Sequence, residues 1–159
     1  MKQIPLSQGK FALVDDEDYD YLMQWKWTYK KQKTNEYAAR NEPIGNGKRK
    51  TVKMHREIMK FPNCDVDHKD SNGLNNQKYN LRIATRSQNL MNGRKRNNTS
   101  SIYKGVSYYY WIGKYCARIR INGKLKFLGN FDNEIDAALA YNIKAIELFG
   151  DFALLNEIP

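Results

Sequence analysis

Residues 92–101, with the sequence NGRKRNNTSS, contain no apolar side chain. Such a segment has nothing to bury, so it does not run through a hydrophobic core and instead divides the chain. We therefore predict two domains, at residues 1–92 and 102–159, joined by a basic polar linker at residues 93–101. Each domain must build a small core of its own within a chain of 159 residues.

The charge balance is strongly basic, with 27 Lys and Arg against 17 Asp and Glu and a net charge of +10 at pH 7. This charge favours a polyanionic partner, because each cation placed near a phosphate releases counterions. The alternative is a basic protein that is simply well solvated. The basic linker can be interpreted in the same two ways: it lies along a phosphate backbone, or it is a solvated hinge.

The cysteines and the apolar runs restrict the class of protein. Cys64 and Cys116 lie far apart and form no CxxC pair, which argues against a zinc site built from cysteines. They can form one disulfide, but two buried reduced thiols are the simpler expectation. We find no apolar run of membrane-spanning length and no N-terminal signal pattern. We therefore expect a soluble protein of the cytoplasm.

Local patterns in the first domain predict short strands and helices. The predicted elements are a strand–turn–strand unit at 4–15, a helix at 16–27, paired strands at 36–40 and 50–56, and a helix at 55–61. Leu22, Trp25 and Trp27 are expected to turn inward from the first helix. The first 45 residues form either a small supporting sheet or a further DNA-binding element, and the acidic DDEDYD at 15–20 favours the supporting sheet.

The second domain reads as a three-stranded sheet covered by one helix. The predicted elements are strands at 103–111, 114–121 and 124–131, an Asn-Gly hairpin turn at 122–123, and a helix at 132–151. The predicted inward stripe of this helix is Ile135, Ala138, Leu139, Ile146 and Phe149. The predicted core also includes Phe127, Phe131 and Tyr141. In the middle strand, apolar residues alternate with Cys116, Arg118 and Arg120, which leaves a basic face without a covering helix.

The adjacent residues Asp67 and His68 suggest phosphodiester chemistry. Neighbours in a strand point to opposite sides, so the carboxylate can hold a hard cation while the imidazole takes a proton from water. The surrounding DHKDSNGLNNQKYNLRIATRSQNLMN is rich in Asn, whose side-chain oxygen is a suitable second ligand. Asp70, Asn72, Asn75 and Asn76 are expected to be turn residues.

This segment, together with the upstream MHRE at 54–57, resembles the metal-binding ββα (His-Me finger) motif of HNH endonucleases of the phage and intron homing type. The resemblance covers about residues 50–92. It implies that His68 is the general base and that Asn80 braces the loop as the second catalytic residue. It also implies that Asp67 and Asn89 bind one Mg²⁺ or Mn²⁺ per active site, with Asn89 in place of the final histidine.

Residues 102–158, including YKGV, GKYCARIRI and FLGNFDNEIDAALAYN, resemble the APETALA2/ethylene-response-factor type of DNA-binding domain. That family lays its sheet in the major groove of DNA. The implied DNA contacts are Lys104, Tyr108, Trp111, Arg118, Arg120 and Lys126, to which we add Arg94 and Arg96 of the linker. Ser107 and Tyr108 depart from the arginines usual in the plant domains, so their target sequence does not transfer.

The two resemblances together imply an α+β protein that is a site-specific homing endonuclease. We expect double-stranded DNA as its partner and cleavage that leaves 5′-phosphate and 3′-hydroxyl ends, by a monomer or a homodimer in a bacterial or phage-infected cell. No membrane or small-molecule substrate is expected. The main alternative is a sequence-specific DNA-binding transcriptional regulator with an inactive nuclease motif. An RNA-binding or RNA-cleaving protein ranks third, because the predicted sheet has no RNP-like aromatic pattern.

Overall fold

A computed structural model describes residues 1–32, 35–93, 95, 99–121 and 123–159. Its elements are β1 (Lys2–Pro5), β2 (Phe11–Val14), α1 (Asp16–Leu22), β3 (Thr28–Gln32), β4 (Asn35–Pro43), β5 (Arg49–Lys53), α2 (Met54–Ile58), β6 (Asp65–His68), β7 (Leu81–Ala84), α3 (Arg86–Met91), β8 (Val106–Tyr109), β9 (Lys114–Ile121), β10 (Lys124–Phe131) and α4 (Glu134–Phe149). The α+β class is confirmed. The chain divides into two compact units, Met1–Asn89 and Leu90–Pro159. Within the described ranges, no helix has the length and apolar character needed to cross a membrane.

The first unit consists of three small antiparallel sheets around one core. The sheets are β1–β2, β3–β4–β5 and β6–β7. The most deeply buried core side chains are Ile4, Ala12, Val14, Leu22, Trp27, Val52 and Met54. Val66 of β6 and Leu81 of β7 belong to the same core, so the strand pair β6–β7 is anchored at its apolar positions.

Several expectations from the sequence need correction. Helix α1 ends at Leu22 rather than at residue 27, and the indole Nε1 of Trp27 donates to the Leu22 carbonyl at 2.8 Å. Trp27 is therefore buried from an irregular segment, not from a helix. Strand β3 was not predicted, because its sequence TYKKQ has no apolar alternation. The cysteines are free, but only Cys116 is buried, since Cys64 is exposed.

The second unit is an antiparallel sheet in the order β10–β9–β8 with helix α4 packed on one face. Asn133 caps the helix by accepting the backbone N–H of Asp136 at 2.8 Å. The sheet contributes Val106, Ala117 and Ile119 to the core, and the helix contributes Ala137, Ala138, Tyr141 and Ala145.

The inward stripe predicted for α4 is wrong at its large aliphatic positions. Ile135, Leu139 and Ile146 are exposed, whereas the buried positions are Tyr141 and three alanines. The small alanine side chains let the helix approach the sheet closely. At Gly105, a Cβ atom would lie 2.1 Å from the Tyr141 ring, so this ring packs directly on the sheet backbone.

Phe127 was predicted to be core but is 56% exposed. It pairs across the strands with Arg118, and the register shifts between Phe127 and Gly129. This irregularity lets Leu128 pack on the core while Phe127 stays on the arginine face. The predicted burial of Phe131 and Tyr141 is confirmed, with Phe131 packed against the core in a partly buried position and Tyr141 buried.

Candidate functional site

Strand β6 presents its side chains alternately to two different environments. Asp67 and His68 are both buried, with 6% of each residue exposed. Asp67 lies opposite Arg82 of β7 in the strand register, and His68 lies opposite Leu81. The acid and the imidazole therefore belong to two separate sets of contacts, as the alternation of a strand requires.

His68 lies in a buried cluster of rings. Its ring centroid is 4.8 Å from that of His55, which meets it edge-on, and 6.3 Å from that of Tyr37. Tyr37 also lies 5.5 Å from His55. The Nε2 atom of His68 is 3.4 Å from Oδ1 of Asn76. Asn76 is fully buried and is itself held by bonds to two backbone carbonyls, those of Leu74 and Leu13.

Burial keeps both histidines in their neutral form. Desolvation lowers the pKa of His55 well below its ordinary value of 6.5, and the nearby His68 lowers it further. Desolvation also lowers the pKa of His68, although the bond with Asn76 acts in the opposite direction. Among the described residues, His55 Nδ1 is a buried nitrogen without a hydrogen-bond partner.

This cluster predicts that the first unit loses stability in mild acid. Because both pKa values are lowered in the folded state, the unfolded chain binds more protons below pH 6.5. The free energy of unfolding is therefore expected to fall by about 1–2 kcal/mol as the pH drops from about 7.5 to about 5.5. Urea titrations monitored by tryptophan fluorescence measure this change. In a Trp111→Phe background the signal comes from Trp25 and Trp27, which both lie in the first unit.

The chain has only two histidines, so the assignment can be checked with one further variant. His55→Phe should remove the larger part of the pH dependence, because the pKa of His55 is lowered further than that of His68. A variant with the same pH dependence as the native chain would contradict the assignment to His55.

The loop between β6 and β7 is built from hydrogen bonds of Asx type. Asn80 is 1% exposed. Its Oδ1 accepts the Asp70 backbone N–H at 3.0 Å, and its Nδ2 donates to Asp70 Oδ1 at 2.9 Å and to the Asn75 carbonyl at 2.8 Å. The Asp70 carboxylate also accepts bonds from the Asn72 backbone and from the Asn75 side chain. Asn80 thus fixes the loop that follows His68 directly.

The acidic side of β6 holds a second network. Both Nε and Nη2 of Arg82 donate to Asp67 Oδ2, at 2.9 and 2.7 Å. Two residues earlier on the same strand, Asp65 accepts the Asn89 amide through Oδ2 at 3.0 Å, and Arg86 lies 3.4 Å from the same oxygen. The hydrogen bond from Asn89 is the main reason that the pKa of Asp65 is lowered. Asn89 on α3 is therefore oriented by Asp65.

The uncovered face of the second unit combines arginine with aromatic rings. Arg118 lies 4.8 Å above the Tyr109 ring, and Trp111, with 76% of its surface exposed, stacks on Tyr109 at 4.4 Å. Arg120 is exposed and donates to the Gly123 carbonyl at 2.6 Å. Arg118, Arg120 and Tyr109 lie on the face opposite to helix α4. Lys126 is exposed on β10, but it lies opposite the core residue Ile119 in the register, so it is on the helix side of the sheet and the predicted arginine-face position is wrong.

The structure places other predicted contacts differently. Tyr108 pairs with Tyr115, whose ring packs on the core, so Tyr109 rather than Tyr108 shares the arginine face. Lys104 is partly buried, its Nζ donates to the Met91 carbonyl at 2.7 Å, and burial lowers its pKa to about 8. The predicted contacts Arg94 and Arg96 lie outside the described residues.

The resemblance left His55, in MHRE, as either structural or in contact with phosphate, and the structure places its ring against that of His68. Sequence reasoning overlooked the other residues that hold the site together. They are Tyr37 beside His68, Asn76 on its imidazole, Arg82 on Asp67, Asp65 on Asn89, and Tyr109 below Arg118. Strand alternation carried a usable signal for Asp65, which lies two residues before Asp67 and on the same side. The contacts of Tyr37 and His55 with His68 join distant segments, and no local pattern indicates them.

Taken together, the fold and the site define an α+β protein with a buried acid–histidine centre in its first unit. The chain is 35% identical over 158 residues to the Uncharacterized HNH endonuclease L560 of Acanthamoeba polyphaga mimivirus, a match that covers 95% of this chain and 77% of that protein. The chain belongs to the HNH endonuclease family. No protein-family model matches it.

Two plant proteins of Arabidopsis thaliana are also similar over shorter stretches. The chain is 36% identical over 86 residues to Dehydration-responsive element-binding protein 2D, covering 53% of this chain and 41% of that protein. It is 36% identical over 67 residues to AP2-like ethylene-responsive transcription factor At2g41710, covering 36% of this chain and 16% of that protein. The chain thus spans less than half of each plant relative.

Proposed function

We propose that this chain is a site-specific DNA endonuclease of the homing type, which hydrolyses phosphodiester bonds with one divalent metal and a histidine base. The observation that carries the proposal is the buried pair Asp67 and His68 on β6, each held by its own partners. Membership of the HNH endonuclease family supports the same reaction. The order β6, β7, α3 matches the strand–strand–helix order of a ββα-metal motif.

In this proposal His68 accepts the proton of the attacking water. Its Nε2 faces the Asn76 amide oxygen, an acceptor, so a neutral imidazole in that tautomer carries its lone pair on Nδ1. The lowered pKa of His68 keeps that base neutral at physiological pH. As the water loses its proton to His68, its oxygen bonds to phosphorus and the bond from phosphorus to the 3′ oxygen breaks. The leaving 3′ oxygen takes a proton from solvent water and His68 later returns its proton to solvent, so the products are 5′-phosphate and 3′-hydroxyl ends.

Asp67 and Asn89 are the residues that would hold the metal. The donor set fits a hard cation, because a carboxylate and an amide oxygen are ligands that Mg²⁺ or Mn²⁺ accepts alongside water and phosphate. Asp65 binds the Nδ2 of Asn89, which leaves Oδ1 as the ligating atom of that amide. When bound, one such ion would stabilise negative charge on the phosphate and on the leaving oxygen.

Asp67 and Asn89 are the two protein ligands that this proposal gives to the metal. Across the residues that the structure describes, no three His, Cys, Asp or Glu side chains are grouped to hold a metal. Arg82, which binds Oδ2 of Asp67, orients the carboxylate in this proposal.

The second unit would place the chain on duplex DNA. Arg120 is exposed on its uncovered face, Lys126 is exposed on the edge strand β10, and Trp111 and Tyr109 offer a stacked aromatic platform beside Arg118. Guanidinium groups can read guanine edges in the major groove, and ammonium groups neutralise phosphates. The similarity to two plant transcription factors supports this role.

We predict that Trp111→Ala and Arg120→Ala each weaken duplex binding by about tenfold, because each removes one exposed contact of about 1–3 kcal/mol. Ile143→Ala is the matched control, since Ile143 is 67% exposed on α4, which covers the other face of the sheet. Fluorescence anisotropy with a labelled duplex measures the affinities. Equal affinities for all three variants would remove this face from the DNA interface.

Plasmid cleavage with and without Mg²⁺ or Mn²⁺ tests the nuclease proposal directly. We expect metal-dependent nicking or linearisation, and end-labelling of the products should identify a 5′-phosphate and a 3′-hydroxyl. Tight duplex binding without any cutting in either metal would favour the alternative, a sequence-specific regulator with an inactive nuclease motif.

A further inference from the structure

A basic cleft lies on the first unit next to the histidine cluster. Its lining consists of Lys50, Thr51, Val52 and Lys53 of β5, Arg56 of α2, and Phe61, and its volume is about 340 Å³. This volume lies within the range of about 300–1,000 Å³ that is typical of ligand clefts. None of these residues has a role in the catalytic centre described above.

The two ammonium groups of the cleft lie over aromatic rings. Lys50 Nζ lies 5.6 Å from the centre of the Phe61 ring, and Lys53 Nζ lies 4.2 Å from that of the Tyr37 ring. Within the described part of the chain, neither ammonium group forms an ion pair or a hydrogen bond with a protein acceptor. The pKa of Lys53 is lowered, first by burial and then by the charge of Arg56, while the charge of Asp65 acts in the opposite direction. An anion in the cleft would also raise this pKa.

Arg56 shapes the cleft and adds to its charge. Its guanidinium donates to the carbonyls of Pro62 and Cys64, at 2.5 and 3.0 Å, and its own carbonyl accepts the Phe61 N–H at 2.8 Å. These bonds close a turn in which Lys60 and Phe61 both have positive φ angles, 55° and 51°. Two consecutive non-glycine residues in this region are strained. Arg56 therefore holds the Phe61 ring, 43% exposed, at the edge of the cleft.

The position of the cleft indicates which anion it takes. Lys53 lies above Tyr37, and the Tyr37 ring contacts both His55 and His68. The cleft is thus connected to His68 through one shared ring, that of Tyr37. The two lysines offer donors to a phosphate, and Phe61 offers an apolar surface to the adjoining sugar.

We propose that this cleft is a second phosphate-binding site for the DNA substrate, which holds a backbone phosphate beside the one that is cut. This inference rests on the proposed function, because it takes DNA as the substrate at His68. Lys50 and Lys53 contact the phosphate, and Arg56 and Phe61 position the cleft around it.

Salt-dependent binding tests the cleft without requiring cleavage. A mixed-sequence DNA duplex is titrated by fluorescence anisotropy in EDTA over a range of salt concentrations. The variant Lys50→Gln/Lys53→Gln should bind about tenfold more weakly at low salt, and its slope of log affinity against log salt should be shallower by about two. The matched control is Lys26→Gln/Lys31→Gln, which removes the same charge from two exposed lysines outside the cleft. Its slope should match that of the native chain.

Equal slopes for the two double variants would overturn the inference. If Lys53→Gln unfolds the first unit, Lys50→Gln alone serves the same purpose, because Lys50 is exposed, and its slope should be shallower by about one. Plasmid cleavage by the native chain is measured in parallel. Cutting combined with unchanged slopes would overturn the cleft alone. A reduced slope without cutting would overturn the nuclease proposal, and with it the position of the bound phosphate beside a cut, while supporting the cleft as a phosphate-binding site for DNA.

Discussion

Replacing His68 by alanine is expected to reduce the rate of DNA cleavage by roughly 10² to 10⁴, the usual contribution of a general base. The expected loss follows from the small number of candidate bases. His68 is next to Asp67 in the sequence, and the chain has only one other histidine. His55 is 4% exposed and packs behind His68, so we do not expect it to replace the lost base. Single-turnover cleavage of a plasmid in Mg²⁺ measures the effect.

The control for this variant is DNA binding. The uncovered face of the second unit is unchanged in His68→Ala, so duplex affinity should stay within about twofold of the native value. Thermal unfolding should verify that the first unit remains folded despite the cavity. A folded variant that binds DNA and cuts within about tenfold of the native rate would show that another group takes the proton.

The placement of Asp67 and His68 on two sides of one strand could be predicted from the sequence, whereas the contacts that support them could not. The Asp67–His68 alternation follows from strand geometry alone, and Asp67 and Arg82 are opposite each other in the register of β6 and β7. Tyr37, His55 and His68 come from β4, α2 and β6. Their meeting depends on how three separate elements fold together, and no short-range periodicity encodes such a contact.

The errors in the fold have the same origin. Hydrophobicity predicted that Ile135 and Leu139 would face the sheet. Helix α4 lies close to the sheet, however, and the residues that it buries there are Tyr141 and three alanines. Phe127 was predicted to be core rather than a DNA contact, yet the irregular register before Gly129 keeps it on the arginine face. In both cases the backbone geometry of the sheet decided which side chain is buried, and side-chain hydrophobicity did not.

Replacing Asn80 by alanine is expected to destabilise the first unit by about 2–4 kcal/mol and to reduce cleavage at temperatures where the variant is still folded. The side chain is 1% exposed and makes three hydrogen bonds, two with Asp70 and one with the Asn75 carbonyl. Removing it leaves a buried cavity and deprives the Asp70 N–H and the Asn75 carbonyl of their partner. Urea denaturation in the Trp111→Phe background reports the first unit alone.

Asn72→Ala is the matched control, because it removes an asparagine from the same loop at an exposed position. Asn72 Oδ1 accepts one bond, from the Leu74 N–H at 3.1 Å, so the expected loss is below about 1 kcal/mol. Comparing the stability losses of the two variants shows whether the loop depends on the hydrogen bonds of Asn80 in particular or on any asparagine in the loop. If Asn80→Ala costs no more stability than Asn72→Ala, the loop does not depend on Asn80. A large loss of stability with native cleavage rates would mean that the position of His68 is independent of this brace.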